Sequence, residues 1–260
     1  MPNVRKYGDP PFDTAVIHGG PGAAGEMAPV CRELAKIRGV IEPLQTAVSV
    51  NGQIRELYAA LQQDIDVFPV TLVGFSWGAW LSFLIAAQYP AYIKKLILIG
   101  SGPFEERYAG DIQKTRFSRL DDGQKIEFIS LCELLHTSSQ ITPGMEKRLN
   151  SLFVKTDAYA PLRKKSDTVD FRPDVFKGVW PEAALLRSSG KLLANAKNIR
   201  CPVTAIHGDY DPHPAEGVKK PLSAVIADFH FVLLEQCGHK PWIERKARKK
   251  FYDILTREVL

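Results

Sequence analysis

The segment Gly-Phe-Ser-Trp-Gly at residues 74–78 constrains the fold of this chain more than any other. An apolar run at residues 69–73 precedes it, and a run of small and apolar residues at 79–89 follows it. This pattern predicts a buried strand, a sharp turn and a helix. Because the turn is sharp, the residues two positions before and after the serine need to be nearly free of side chain, and glycine meets that need. We therefore expect the Ser76 hydroxyl to lie at the end of a strand and at the N-terminus of a helix.

Short apolar runs alternate with longer helical patterns along most of the chain. Six of these runs predict buried strands, at residues 14–18, 38–43, 70–75, 95–100, 202–207 and 229–235. The alternation is typical of an α/β fold in which a mostly parallel sheet is covered by helices. A last helix is expected from about residue 242 to residue 259.

Residues 101–201 contain no convincing strand and have helical patterns instead. Asp121 and Gln124 resemble a capping box that opens one helix, with an apolar stripe after it. A second helix is expected after Pro143, and a third from Pro181 through Leu193, with proline in its first turn. We therefore expect a helical lid, residues 103–198, inserted after the fourth strand into a core made of residues 1–102 and 199–260.

Composition is that of an ordinary globular protein, with 45% hydrophobic and 24% charged residues among 260. The net charge of +5 is spread over core and lid, so we expect no nucleic-acid partner. Four widely spaced cysteines predict reduced thiols in a cytoplasmic protein. Residues 1–11 are polar, unlike a signal peptide, and no apolar run approaches the ~20 residues of a membrane span. Nothing in the sequence specifies an oligomeric state.

Two later segments carry the partners that a serine nucleophile needs. A free serine hydroxyl is a poor nucleophile unless a base lies within hydrogen-bond reach. His239 follows the last strand, where open α/β sheets bind their ligands. Asp211 follows the preceding strand, and its Asp-Pro step favours a turn that aims the carboxylate inward. The order Ser76, Asp211, His239 predicts a catalytic triad in which His239 is the base and Asp211 orients its imidazole.

Each of these segments also has a purely structural interpretation. A glycine-flanked serine can simply form a turn, Asp and Pro are turn formers, and a loop histidine is often only solvated. Asp211 is favoured over Asp209, which sits tight against the end of its strand. His213 competes with His239 as the base, but it follows the acid by only two residues. His207 and His213 flank Asp211 and could support it.

The loop His-Gly-Gly-Pro-Gly at residues 18–22 follows the first predicted strand. Acyl transfer needs two N–H donors aimed at the developing oxyanion. We expect these donors to be the backbone N–H groups of Trp77 and Gly20. Gly19 and Pro21 are expected to contact substrate, since glycine allows a close approach of the backbone and proline stiffens the loop. A plain strand-to-helix turn is the alternative. This chemistry needs no metal and no organic cofactor, so we expect neither.

Together, the four segments at residues 18–22, 74–78, 208–212 and 237–242 resemble the landmark sites of the α/β-hydrolases, in the same order. The first two are most similar to the proline iminopeptidase branch. That resemblance implies removal of N-terminal residues from small peptides, with lid carboxylates holding the substrate amine. Residues 42–49 do not match the Asp-x-Arg-Gly-x-Gly-x-Ser stretch of that branch. Only 13 residues precede the first predicted strand, so we expect the antiparallel strand pair usual at the start of the family's chains to be absent, leaving about six strands with 229–235 at one edge.

The resulting hypothesis is a serine hydrolase that acts on a small carboxylic ester or lactone. An aminopeptidase is the second hypothesis, for which the lid offers carboxylates such as Glu105, Glu106, Glu133 and Glu182. A carbon–carbon bond hydrolase is the third. A protein of another class, which keeps the triad but binds its ligand with negligible turnover, is the remaining alternative. Five aromatic residues of the lid either line a pocket or, as expected for most of them, form the lid's own core: Phe104, Phe128, Phe153, Phe176 and Trp180.

Overall fold

The computed structural model describes residues 3–137, 142–162 and 169–260. Within these residues the strands are β1 (Val4–Tyr7), β2 (Phe12–Ile17), β3 (Ala23–Ala24), β4 (Gly39–Pro43), β5 (Val70–Phe75), β6 (Ile93–Ile99), β7 (Asp170–Phe171), β8 (Val203–Gly208) and β9 (Phe229–Leu234). The helices are α1 (Ala28–Leu34), α2 (Val50–Asp64), α3 (Trp77–Gln88), α4 (Ala109–Ser118), α5 (Asp122–Thr137), α6 (Pro143–Asp157), α7 (Pro173–Ser188), α8 (Lys191–Ala194), α9 (Glu216–Val225) and α10 (Arg248–Val259).

Seven strands form one sheet in the order β1-β4-β2-β5-β6-β8-β9. All neighbours are parallel except β1 and β4, so the prediction of a mostly parallel sheet with β9 at an edge is confirmed. The expected number of about six strands was too low by one. Strand β1 adds an antiparallel edge, with Val4 opposite Pro43 and Tyr7 opposite Val40. Its sequence, Val-Arg-Lys-Tyr, has no apolar run because an edge strand is only partly buried.

The sheet is covered on both faces. Leu72 of β5 packs into a cluster that includes side chains of α2, α3 and α9, whereas its neighbour Val73 packs into a cluster with α1 and α10. Every residue of β5 is buried. A parallel strand covered on both faces reads as a continuous apolar run, which is why its sequence was recognisable.

The segment between β6 and β8 is mostly helical, as expected. The backbone N–H of Gln124 donates to the Asp121 carboxylate at 2.9 Å, so α5 begins at its predicted cap. Helix α6 begins at Pro143, also as predicted. The prediction of a third helix from Pro181 through Leu193 was wrong, because α7 begins at Pro173, ends at Ser188 and has Pro181 in its interior. The short strand β7 was not expected either, and it pairs with β3 next to the glycine-rich loop.

The chain ends in α10, which begins at Arg248 after a short 3-10 turn at Pro241–Ile243, later than the predicted start. Phe251 and Leu255 are buried on its inner face, and Ala247 is buried directly before its first residue. All four cysteines are free thiols. Within the described ranges, the structure holds no helix that combines the length and the apolar character of a membrane span.

Candidate active site

Ser76 occupies the turn between β5 and α3 in a conformation that few non-glycine residues adopt, with φ 52° and ψ −113°. Its backbone N–H donates to the carbonyl of Ile99 at 2.9 Å, which anchors the turn to the neighbouring strand. A Cβ atom on Gly78 would lie 2.4 Å from the carbonyl oxygens of Ile17 and His18. A Cβ atom on Gly74 would lie 2.2 Å from the carbonyl oxygen of Gly78. Both glycines are therefore required by close backbone packing, as the sequence indicated.

Asp211 and His239 come together from the loops after β8 and β9. The Nδ1 atom of His239 lies 2.7 Å from Oδ2 of Asp211, and the Asp211 side chain has no exposed surface. Burial by itself would raise the pKa of Asp211, but the surrounding histidines, His239 first, hold it well below its ordinary value. Asp211 is therefore an ionised carboxylate that orients an imidazole.

His213 binds the same carboxylate from the other side. Both its backbone N–H and its Nδ1 atom contact Oδ1 of Asp211, at 2.9 Å and 2.7 Å. Its ring stacks on that of His239, with 4.4 Å between the centroids. Burial lowers the pKa of His213 to about 4, despite the opposing effect of Asp211. His213 is consequently neutral near pH 7 and lies beside His239.

The same three side chains also offer a possible set of metal ligands. One ligand atom each from Asp211, His213 and His239 lie within 4.8 Å of one another. Both Nδ1 atoms are already hydrogen-bonded to the carboxylate, so the three groups satisfy one another without an ion.

A cavity of about 1070 Å³ connects these residues to the predicted lid. Gly20, Ser76, Trp77, His213 and His239 line it from the core side. Aromatic residues of the helical segment line it from the other side, among them Phe128, Phe153 and Trp180. Phe128 and Phe153 also pack against each other, so they serve as cavity wall and as helical core at once.

The remaining residues predicted for the site lie behind the wall of this cavity. Asp211 is buried behind His239. Gly19 is packed so tightly that a Cβ atom would lie 2.8 Å from the Phe75 ring. Pro21 is buried and follows a cis peptide bond, whereas Gly20, with φ 104°, faces the cavity.

A sequence profile of the alpha/beta hydrolase fold family matches residues 45–246. The chain belongs to the α/β-hydrolase fold family. This confirms the resemblance drawn from the four sequence segments and supports hydrolase activity.

Two relatives and one solved structure illustrate the likeness. Monoacylglycerol lipase ABHD6 of Homo sapiens is 25% identical over 234 residues, which cover 87% of this chain and 67% of the lipase. Proline iminopeptidase of Heyndrickxia coagulans is 25% identical over 261 residues, which cover 88% of this chain and 84% of the peptidase. The crystal structure of VinJ has a TM-score of 0.72 at 17% identity over 98% of this chain and 93% of VinJ, a likeness of fold.

Two ion pairs flank the His239 loop of this α/β-hydrolase and lie in the cavity wall. Arg116 of α4 holds Asp157 of α6 through two hydrogen bonds, at 2.9 Å and 2.6 Å. Lys240 pairs with Glu26 at 2.5 Å. The carboxylates of Asp157 and Glu26 are therefore already neutralised by cations.

The four glutamates considered as amine partners have different surroundings. Three of them are engaged elsewhere: Glu105 with Arg107 at 2.6 Å, Glu106 with Arg187 at 2.8 Å, and Glu182 with the backbone N–H of Val50 at 2.7 Å. Glu133 lines the cavity and is exposed.

Several residues that shape the site were missed at the level of sequence. Glu244 is fully buried and accepts the backbone N–H groups of Gly238, Tyr159 and Ala160 at 2.8–2.9 Å, which ties the end of α6 to the His239 loop. The backbone N–H of His239 donates to the carbonyl of Asp157 at 2.7 Å. Residues 156–173 have no clear periodicity, so no pattern in the sequence marked these contacts.

Proposed function

We propose that this α/β-hydrolase is a serine hydrolase that cleaves a carboxylic ester through an acyl-enzyme on Ser76. The observation that carries the proposal is the 2.7 Å contact between His239 and buried Asp211, on the same cavity as Ser76 in its strained turn. The predicted lid, residues 103–198, would cover this cavity. The free cysteines are compatible with the cytoplasmic location expected from the sequence.

In this mechanism the Ser76 hydroxyl attacks the ester carbonyl carbon, and His239 takes its proton. Asp211 stabilises the imidazolium that forms. The backbone N–H groups of Trp77 and Gly20 donate to the oxyanion of the tetrahedral intermediate. His239 then protonates the departing alcohol. A water molecule, activated by the same imidazole, hydrolyses the acyl-enzyme and releases the acid.

The charges beside the His239 loop favour an ester over a peptide with a free N-terminus. An ammonium group leaving water needs an unpaired carboxylate close by. Asp157 and Glu26, which flank the His239 loop, are already paired with Arg116 and Lys240. The aromatic wall suits an apolar acyl group instead, and the volume of about 1070 Å³ admits a chain longer than that of a small lactone. The lipase activity in the name of one relative agrees with this preference.

An aminopeptidase is the second candidate, because Glu133 lies exposed in the cavity wall and one relative is a proline iminopeptidase. The two candidates differ in their leaving group and can be separated directly. Nitrophenyl esters of increasing acyl length should be hydrolysed over many cycles, whereas amino-acid arylamides should not. The opposite preference would establish the aminopeptidase, and a single slow event per site would indicate a ligand-binding protein.

The decisive experiment is fluorophosphonate labelling of the intact protein, with mass spectrometry to locate the adduct. We expect one adduct, on Ser76, which is absent in Ser76→Ala and strongly slowed in His239→Ala. Ester turnover should fall on the order of 10⁴-fold or more in both variants. His230→Ala is the matched control, since that histidine is exposed on β9. Labelling at another residue, or full turnover by Ser76→Ala, would refute the assignment.

A further inference from the structure

Two histidines share the carboxylate of Asp211, which is one more than a triad uses. His239 contacts Oδ2 and His213 contacts Oδ1, both through Nδ1 and both at 2.7 Å. Each oxygen of the carboxylate thus has its own imidazole at hydrogen-bond distance, and the Nε2 atom of His207 lies farther away, 3.5 Å from Oδ2. The second histidine has no part in the proton transfers proposed above.

The hydrogen bonds determine which ring nitrogens carry protons. An ionised carboxylate only accepts, so Nδ1 must be a donor in both His213 and His239. The Nε2 atom of neutral His213 is therefore unprotonated. The Nε2 atom of His207 lies 2.8 Å from the carbonyl oxygen of His213. A carbonyl oxygen only accepts hydrogen bonds, so this Nε2 atom carries a proton and is the donor. The His207 ring thereby fixes the backbone that carries His213.

Charged and titratable groups surround His213 on every side. Asp211 belongs to its own loop, His239 stacks on its ring, and His207 reaches it from β8. Arg116 of α4 and Asp157 of α6 act on it electrostatically from the predicted lid, where they neutralise each other. In this setting His213 is a neutral donor, and a second positive charge beside the imidazolium of His239 is avoided.

We propose that His213 is a positioning residue of the triad: its Nδ1–H holds the Asp211 carboxylate in the plane in which Oδ2 meets His239, and limits how strongly that carboxylate stabilises the His239 imidazolium. The inference rests on the proposed function, because it assumes that Ser76 and His239 react. The backbone N–H and the Nδ1–H of His213 both donate to Oδ1, and together they fix the orientation of the carboxylate. With the side-chain donor removed, only the backbone N–H of residue 213 remains on Oδ1, so the carboxylate is held less firmly and carries more of its negative charge toward His239.

Two substitutions separate the hydrogen bond from the packing of the ring. His213→Asn keeps an N–H donor near the position of Nδ1 but removes the ring. His213→Phe keeps a ring that can stack on His239 but removes the donor. The readout is the second-order rate constant for fluorophosphonate labelling of Ser76 as a function of pH, which requires no knowledge of the substrate. His230→Ala, on exposed β9, is the control.

The expected result is a labelling rate for His213→Phe that is lower by roughly ten- to a hundredfold, the range for a lost hydrogen bond to a charged group. Its acid limb should also move to higher pH, because a less neutralised Asp211 stabilises the imidazolium more strongly. His213→Asn should retain most of the rate and the wild-type pH profile.

The opposite ranking, in which Phe preserves the rate and the profile and Asn does not, would show that His213 only packs and would overturn the inference. Unchanged profiles in both variants would also overturn it, while labelling of the wild-type protein at Ser76 would leave the proposed function intact. A wild-type protein that does not label at Ser76 would overturn the proposed function, and the inference with it.

Discussion

Ser76 holds its hydroxyl in the cavity wall only because its backbone is kept at positive φ. For a residue with a side chain this conformation costs on the order of 1–3 kcal/mol and persists only where the surrounding structure enforces it. Here the enforcement comes from Gly74 and Gly78, which let α3 approach β5 and β2 to within backbone contact. The close backbone packing at the two glycines therefore maintains the strained conformation of Ser76.

Gly78→Ala should disrupt that arrangement. The new methyl group would lie 2.4 Å from two carbonyl oxygens, so the start of α3 has to move. We expect the free energy of unfolding to fall by about 1–3 kcal/mol, the usual cost of overpacking, and labelling of Ser76 to slow at least tenfold or so. Gly110→Ala in α4 is the control, since nothing lies within 4 Å of its added methyl group. Urea unfolding that is equally unaffected in both variants would contradict the packing argument.

At the scale of elements, the sequence predicts what local physics determines. The buried strand β5 and the capping box of α5 were recognisable because periodicity and capping depend on neighbours in the chain. Strand β1 was not recognisable, because its four residues form a strand by pairing with β4 and contain no apolar run. Pro181 misled the prediction, since proline more often starts a helix than lies within one.

In the candidate site, too, local sequence patterns predicted some features, whereas contacts between distant segments left no pattern. Ser76, Asp211 and His239 could be grouped as a hypothesis because each lies in the turn or loop that follows a strand, and the ends of parallel strands meet at one edge of the sheet. The Arg116–Asp157 pair could not be predicted, because 41 residues separate its members and only the packing of α4 on α6 brings them together. Contacts between helices of an insertion leave no local pattern in either helix.

The Arg116–Asp157 pair is expected to hold α4, α6 and the His239 loop together. Arg116→Met leaves the carboxylate of Asp157 buried without a counter-charge, which typically costs about 3–5 kcal/mol. Arg148→Met breaks the similar but exposed pair with Glu127 and should cost far less, because solvent screens the charges of an exposed ion pair. Urea unfolding measures both, and hydrogen exchange in α6 should accelerate only in the first variant. Similar small losses in the two variants would mean that Asp157 finds water or another partner.

On the scale of the whole molecule, the fold gathers its polar groups at one end of an apolar sheet. The loops after β2, β5, β8 and β9 bring Gly20, Ser76, Asp211 and His239 to that end. The helical segment covers the same end, so groups that would be solvated in a bare sheet are buried. Burial of titratable groups makes the stability of the entire fold depend on pH.

Acidification is expected to weaken the fold through its buried histidines. Burial lowers the pKa of His213 from the model-peptide value of 6.5 to about 4, and it lowers the pKa of His18 as well. Between pH 6.5 and 4 the unfolded chain therefore binds a proton at residue 213 that the native chain does not. The free energy of unfolding consequently falls as the pH drops through this window, with His213 alone contributing on the order of 3 kcal/mol.

Urea unfolding between about pH 7 and about pH 4 tests this dependence. His213→Asn cannot titrate, so its free energy of unfolding should decline less steeply than that of the wild-type protein, with the remaining slope due in part to His18. The pKa values of Asp211 and Asp157 lie below the ordinary aspartate value despite burial, because the surrounding histidines act on Asp211 and Arg116 acts on Asp157. Their stabilisation is lost as the pH falls through the ordinary aspartate pKa of 3.8 and below, so it affects only the acid end of this range. Equal slopes in the two proteins would mean that native His213 binds its proton as readily as the unfolded chain does, which is incompatible with a buried neutral donor to Asp211.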